Sequence, residues 1–327
     1  MSEPPPKPTI LVADIGGTTC RFAIVGADGR PERIVRFPNR DIADMEAAIR
    51  RYMTETGLRP QAGVLALAGP VDGDEIALTN RGWRFRLSEL RVAVGFSQLH
   101  AINDFAAVAW ALPALRPDDV AAIGPAIPLQ HGVRMACGPG TGLGVAALIP
   151  ENGSWRIFPS EGGHVSFGPL DAEEETIFAH LRAAAGAVSA ETVLSGPGFT
   201  RLYHALHPQA EPPGSEEILA RARAGDVASL KTTMMFVRLL GRFAGDMALV
   251  FKATAVYVAG GVGRGLASLI DAREFRHAFE AHRPYEQLLA SVPTFVITER
   301  APGLIGCAAY ATRMIGPQVV NQVVSGG

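Results

Sequence analysis

The chain has 327 residues, 48% of them hydrophobic and 19% charged, with a formal net charge of −2. That length exceeds one ordinary core and predicts two domains, and the near-neutral balance gives no general attraction to nucleic acid or to an anionic membrane. Lysine is confined to Lys7, Lys231 and Lys252, which leaves few places for lysine chemistry, and the widely spaced Cys20, Cys137 and Cys307 suggest neither a disulfide framework nor a metal pair but a reducing cytoplasm.

In chain order, "MSEPPPKPT" has no apolar h-region, and residues 1–8 are expected to form a disordered tail. No uncharged apolar run is long enough to span a bilayer, since Asp246 and Lys252 interrupt the best candidate. Residues 9–13 and 20–25 read as strands joined through a Gly16-Gly17 turn. Residues 41–56 have helical spacing that stops at Gly57. A buried strand is expected over 62–71 and another over 99–102, followed by "NDF" and a helix that Pro113 ends. Residues 115–119, "LRPDD", suit a crossover between lobes. The opening pattern returns at 134–149, again apolar run, Gly/Thr turn, apolar run, which suggests a duplicated architecture. Residues 171–188 and 226–252 read as mainly helical, 255–270 as strand, glycine turn and helix, 293–298 as a late strand and 304–315 as a closing helix. The alternation predicts an α/β fold with mixed sheets.

Three glycine-rich turns stand out: Gly16-Gly17-Thr18-Thr19, Gly138-Pro139-Gly140-Thr141-Gly142, and Gly260-Gly261. Glycine lets backbone approach a ligand closely, and consecutive N–H groups in such turns form anion-binding concavities. Each alone reads as a plain turn; together, two with threonine at the rim, they point to a nucleotide. No lysine follows a Walker-type loop, and Leu143 and Leu266 stand where a dinucleotide fingerprint needs its third glycine. Phosphate held by hairpin turns between two lobes is the remaining expectation. Asp14, beside such donors, would repel phosphate unless a cation such as Mg²⁺, held through water, stands between. The alternative is an Asp that bonds its own turn.

Asn103 and Asp104 fall where a strand meets a helix, the edge that faces ligands in α/β folds. The alternative is a helix cap. Glu161 and His164 have Glu-x-x-His spacing, but Gly162-Gly163 between them favours a loop over a metal-binding helix. Loop Glu and His can bond a polyol or satisfy local backbone. Side chains of this kind bond paired sugar hydroxyls and reject analogues that lack them.

In order along the chain, "ADIGGT", "TNRGW", "INDFAAVAWALP", "GPGTGLGVA", "EGGHVSFGP", "SAETVLSGPG" and "VAGGV" resemble the bacterial glucokinase family from residue 9 to about 315. The resemblance implies the two-lobed actin-like, hexokinase-like (ribonuclease H-like) ATPase fold, with a mixed sheet in each lobe and a cleft between them. It implies a smaller lobe over 9–114 with 301–327 and a larger one over 115–300. The implied reaction is transfer of the γ-phosphoryl group of ATP, with Mg²⁺, to the 6-hydroxyl of glucose by a cytoplasmic homodimer. By motif, Ala13, Asp14, Ile15, Gly16, Gly17 and Thr18 would form the first phosphate loop, Gly138, Gly140, Thr141 and Gly142 the second, and Gly260 with Gly261 would sit near the adenosine. Asn103 and Asp104 would bind glucose, with Asp104 as base; Glu161, His164 and Glu191 would hold the other hydroxyls. Thr19 departs from the family, which usually has Asn there. A kinase for mannose or N-acetylglucosamine, and a non-catalytic sugar sensor or actin-like assembly protein, are the rival readings.

Overall fold

A computed structural model describes residues 9–69, 71–78 and 82–315. The expected tail over 1–8, residues 79–81 of "TNRGW" and residues 316–327 lie outside the described residues. The chain divides into two units, with breaks after Leu115 and after Glu299.

In the first unit the opening hairpin pairs β1 (Ile10–Ile15) with β2 (Thr19–Val25), and β3 (Pro31–Pro38) extends it. Helix α1 (Met45–Thr56) is capped by Asp44 and stops at Gly57. Strand β4 (Ala62–Leu67) follows, then the short hairpin of β5 (Glu75–Ala77) and β6 (Arg84–Arg86). Next come α2 (Leu87–Val94), β7 (Gln98–Asn103) and α3 (Asp104–Ala111). The sheet order is β3-β2-β1-β4-β7, antiparallel through the hairpins and parallel from β1 to β4 to β7. Both faces of β1 are covered, so Ile10 to Ala13 form a continuous apolar run rather than alternating with polar residues, and Asp14 interrupts it near the end. Leu11, Ala13 and Ile15 join the core with Met45, Ile49, Tyr52 and Leu90 from α1 and α2. Ile10 and Val12 join the opposite core with Ala107 and the closing helix.

The second unit repeats the plan. Strand β8 (Val120–Ile123) precedes a meander of β9 (Arg134–Pro139), β10 (Leu143–Glu151) and β11 (Ser154–Ser160). Helices α4 (Ala172–Ala185), α5 (Ala190–Val193), α6 (Gly196–Leu206), α7 (Ser215–Arg223) and the long α8 (Val227–Phe251) follow. Then come β12 (Ala255–Val258), α9 (Gly260–Leu266), α10 (Ala272–Glu280), α11 (Glu286–Ala290) and β13 (Thr294–Ile297). The order β11-β10-β9-β12-β13-β8 places a three-stranded meander beside parallel β12 and β13, as β3-β2-β1 stands beside β4 and β7. The duplicated pattern of the hairpins is therefore a duplicated sheet. Asp171, Ser189, Ser195 and Asp226 each accept a backbone N–H at a helix start, a local reason why those helices begin there.

The chain then returns to the first unit as α12 (Pro302–Met314). Small residues let it lie close along α3: a Cβ on Gly306 would run into the Ala107 carbonyl and stand 3.1 Å from Ala111 N. These obstacles are backbone and cannot turn aside. Gly306→Ala should therefore cost about 3 kcal/mol of stability or more through overpacking. The expected reading is a lower urea midpoint at unchanged m-value; an unaltered midpoint would show that the two helices have slack.

Candidate active site

Alternation along β1 puts Asp14 on the same face as Ile10 and Val12, toward α12. Arg21 stands directly opposite in the hairpin register, and its Nη1 donates to Asp14 Oδ2 at 3.1 Å. The Asp14 side chain is only 17% exposed. Burial raises its pKa above the ordinary carboxylate value, while the charge and hydrogen bond of Arg21 pull it down. The carboxylate thus pairs with an arginine rather than with its own turn. A Cβ on Gly303 would lie 3.1 Å from Asp14 Cγ, so the absence of a side chain there leaves room at the start of α12. Magnesium usually keeps several waters and takes one or two carboxylates plus phosphate oxygens. Asp14, with Oδ2 engaged by Arg21, fits such an ion through water and beside a phosphate. It does not fit an all-protein cage, since no cluster of three metal-type side chains occurs among the described residues.

The turn itself is closed by Gly16 N donating to Thr19 O at 3.1 Å. Asn39, which sequence reasoning missed, holds it from outside: Nδ2 donates to Gly16 O at 2.8 Å and its backbone N to Thr18 O at 2.9 Å. No local signal marked Asn39, because strand β3 ahead of it was not foreseen. Arg21 was legible in principle, since a tight hairpin fixes which residue faces Asp14.

Ile15, Leu67 and Asn103 are aligned across the parallel strands β1, β4 and β7. The Gly16–Thr18 turn and the Asn103-Asp104 junction therefore leave the same carboxyl edge of one sheet. Asn103 does cap α3: its Oδ1 accepts from Phe105 N at 2.9 Å and Ala106 N at 3.0 Å. Its Nδ2 donates to Gly69 O at 3.0 Å. Asp104 is the first residue of α3, half-buried, with Oδ1 accepting from Phe105 N at 2.8 Å.

The second sheet loads its carboxyl edge in the same way. Val258 of β12 pairs with Cys137 of β9, so the turn from Gly138 to Gly142 and the Gly260-Gly261 pair leave neighbouring strand ends. The expected glycine turn after β12 is instead the first turn of α9 itself. Gly260 has φ +82°, and a Cβ on it would strike the Pro139 carbonyl, so only glycine suits both its conformation and its neighbour. Gly140 O accepts from Gly196 N at 2.7 Å. The Gly196-Pro197-Gly198 stretch opens helix α6, with Ser195 Oγ accepting from Gly198 N at 3.0 Å. The backbone of this turn thus meets the start of α6 at Gly140 and the start of α9 at Pro139.

Glu161, His164 and Glu191 come together in this unit. Residues 162–164 form a single 3-10 turn, shorter than a metal-binding helix and more ordered than the expected loop. The glycines between Glu161 and His164 have a packing reason: a Cβ on Gly163 would meet Leu143 O, and one on Gly162 would stand 3.1 Å from Met247 Sδ. Beyond His164 the chain pairs with the approach to Glu191, through Ala190 N to Val165 O at 3.0 Å and Phe167 N to Val188 O at 3.1 Å. That pairing brings Glu191 beside His164, whose Nε2 is 4.0 Å from Glu191 Oε2 and 3.9 Å from Glu161 Oε2. Glu191 Oε2 also accepts from Leu143 N at 2.8 Å, where β10 leaves the glycine turn. Arg242 of α8 fixes the same loop from below, donating to Gly168 O at 2.7 Å with its guanidinium 4.3 Å from the Phe167 ring centre.

Known proteins carry the same frame. The glucokinase family profile matches residues 11–314. A glucokinase of Chelativorans sp. (strain BNC1) is 40% identical over 311 residues, which cover 92% of this chain and 91% of that one. The chain belongs to the glucokinase family. The crystal structure of a glucokinase from an Antarctic psychrotroph matches with TM-score 0.83 at 34% identity, covering 92% of this chain and 98% of that one. The α/β fold with mixed sheets is thus a glucokinase fold. A bifunctional protein glk of Burkholderia orbicola (strain AU 1054) is 38% identical over 312 residues, but the chain spans about half of its length, 49%. The activity of the family, phosphorylation of glucose by ATP, is the activity of this chain.

In this glucokinase, burial makes Asp14 harder to ionise in the folded state than in the unfolded one. The stability it contributes is complete below the unfolded pKa of about 3.9 and is lost as pH rises through the raised folded value. Asp14→Asn does not titrate. Its stability relative to the parent chain should therefore rise as the pH is raised above about 4, as read by urea unfolding up to neutral pH. A difference that stays constant over that range would contradict the dominance of burial over Arg21.

Proposed function

We propose that the chain moves the γ-phosphoryl group of ATP to the 6-hydroxyl of glucose with Asp104 as the base, and that Asn103, Asp104, Glu161, His164 and Glu191 hold the sugar. The observation that carries this reading is the shared carboxyl edge of the first sheet. It leaves Asp104 and the Gly16–Thr18 turn at the carboxyl ends of β7 and β1, with only the end of β4 between them. A base and a phosphate loop on one rigid edge suit a reaction that depends on positioning and electrostatics more than on covalent chemistry.

Each group has a task that its surroundings support. Asn103 keeps its oxygen on the helix cap, so it meets a hydroxyl as a donor through Nδ2. The gaps of 3.9 and 4.0 Å around His164 are too long for hydrogen bonds, which leaves these side chains available to ligand hydroxyls. Glu191 keeps Oε2 on Leu143 N and turns Oε1 to the sugar. The backbone of Ala13 to Thr18 and of Gly138 to Gly142 cradles the phosphates, and Gly260 with Gly261 lies by the adenosine. Mg²⁺, when bound, would be held by Asp14 through water and would offset phosphate charge. Asp104 orients the 6-hydroxyl and accepts its proton as the new O–P bond develops, since a carboxylate is a weak base for an alcohol.

The same reading includes a cytoplasmic homodimer. Among the described residues no helix is long and apolar enough to cross a membrane. Sedimentation at micromolar concentration should give twice the 34.5 kDa of one chain; a single-chain mass would exclude the dimer.

Asp104→Asn should lower kcat by about 10²-fold or more, with a much smaller change in the affinity for glucose. Coupled detection of ADP with glucose, mannose and N-acetylglucosamine reads both the base and the substrate. Near-normal turnover by folded Asp104→Asn would remove the base assignment. Faster turnover of another hexose would change the substrate, and glucose binding without sugar-dependent ADP would leave a sensor.

A further inference from the structure

The first phosphate turn has a clamp that none of its own residues provides. Thr19 pairs with Pro38 at the end of the β2–β3 ladder, so the next residue on the β3 side, Asn39, runs alongside the turn. Its side chain is buried, with only 3% of the residue exposed. Three groups of this one residue bond to the hairpin. Nδ2 donates to Gly16 O at 2.8 Å, the backbone N donates to Thr18 O at 2.9 Å, and Oδ1 accepts from Cys20 Sγ at 3.0 Å. Both terminal carbonyls of the turn are thereby held toward Asn39. Gly16 N is taken by Thr19 O, and among the described residues no partner takes the N–H groups of Gly17 and Thr18.

A carbonyl and the N–H of the following residue belong to one rigid peptide plane and point in opposite directions. Fixing Gly16 O inward therefore fixes Gly17 N–H outward. Two glycines in a row have no conformational preference of their own to do this. We propose that Asn39 is the positioning residue of the first phosphate loop, holding its backbone donors in the orientation that binds nucleotide phosphate. The inference rests on the assignment of residues 13–18 to phosphate binding made above. Asn39 lies on the far side of the turn and acts through Gly16 and Thr18.

Two variants and one measurement on the parent chain test it. Asn39→Ala removes both side-chain bonds. Asn39→Asp keeps the size and the acceptor for Cys20 but loses the Nδ2 donor to Gly16 O. Each should raise KM for ATP about 10-fold, the equivalent of one hydrogen bond, while KM for glucose stays within about twofold. An unchanged KM for ATP in either folded variant overturns the proposal, and so does an equal rise in both KM values, which a merely structural role would give. The parent chain decides the matter if neither variant folds. On titration with AMP-PNP, the side-chain amide resonance of Asn39 should move with the Gly17 and Thr18 N–H signals along one saturation curve. A stationary Asn39 amide overturns the clamp. If AMP-PNP moves neither Gly17 nor Gly140 while glucose-dependent ADP release proceeds, the assignment of the loops has failed instead, a result distinct from failure of the clamp.

Discussion

The second unit depends on one peptide residue, Leu143. Its N–H is held by Glu191 Oε2 at 2.8 Å, and its carbonyl lies where any side chain on Gly163 would have to go. The residue begins β10, so it also ends the glycine turn. Backbone groups cannot rotate away as side chains do. A displacement of the turn must therefore move Glu191, and a displacement of the 3-10 turn that contains His164 must move Leu143. Phosphoryl transfer relies on alignment, and a link of this kind keeps the glycine turn and the Glu161–His164 segment in a fixed relation without burying the His164 and Glu161 side chains.

The first unit reaches a similar result with different residues. Its turn has the same place in the sheet, at the carboxyl end of the strand that begins the meander, but it is held by a buried amide from beyond the next strand. Its carboxylate, Asp14, is held by Arg21 across the hairpin, and Gly303 at the start of α12 leaves room beside it. Duplication of the sheet has thus preserved the place of the glycine turn, while the side chains that stiffen each edge have diverged. Glycine is used differently as well. At Gly306 it lets two helices touch; at Gly142 it leaves space for Glu191 Oε2, which a Cβ would crowd.

Much of this frame is legible in the sequence, and for identifiable reasons. The strands at 10–15, 62–67, 134–139 and 143–151 are mostly apolar and mostly buried, so composition alone reveals them. Helix α1 is legible because its apolar stripe and its stop at Gly57 agree. Strand β3 is hidden because Pro31, Glu32, Arg33 and Arg36 make an edge strand that is mostly polar. With β3 hidden, Asn39 could not be placed. Helices α2, α7 and α10 were missed for a related reason: charged residues interrupt their apolar positions. At the site, residue types and motif order pointed to the groups that could bind sugar and phosphate, but not to how each is already engaged. Asn103 was read as either cap or ligand, and its oxygen is the cap. Contacts such as Glu191 with Leu143 join residues 48 apart in the chain, and no local pattern reports them.

The charged cluster under the His164 loop shows what buried ions contribute here. Glu174 is 3% exposed and Arg242 8%, with Arg242 Nη1 donating to Glu174 Oε2 at 2.7 Å. Removing two charges from water has a large penalty, so such a pair is weak grounds for stability. Its additional bonds explain its place better. Glu174 Oε2 accepts from Leu170 N at 2.9 Å and Arg242 Nη2 donates to Gly168 O. The stretch from Phe167 to Leu170 contains Gly168 and Pro169 and has no ladder of its own. A hydrophobic pair could fill the volume but could not bond those backbone groups. Ions with several donors and acceptors can, and α8, the longest helix of the unit, provides a rigid base for them. The exposed His164 and Glu161 are thus kept in place by charges buried beneath the loop that follows them.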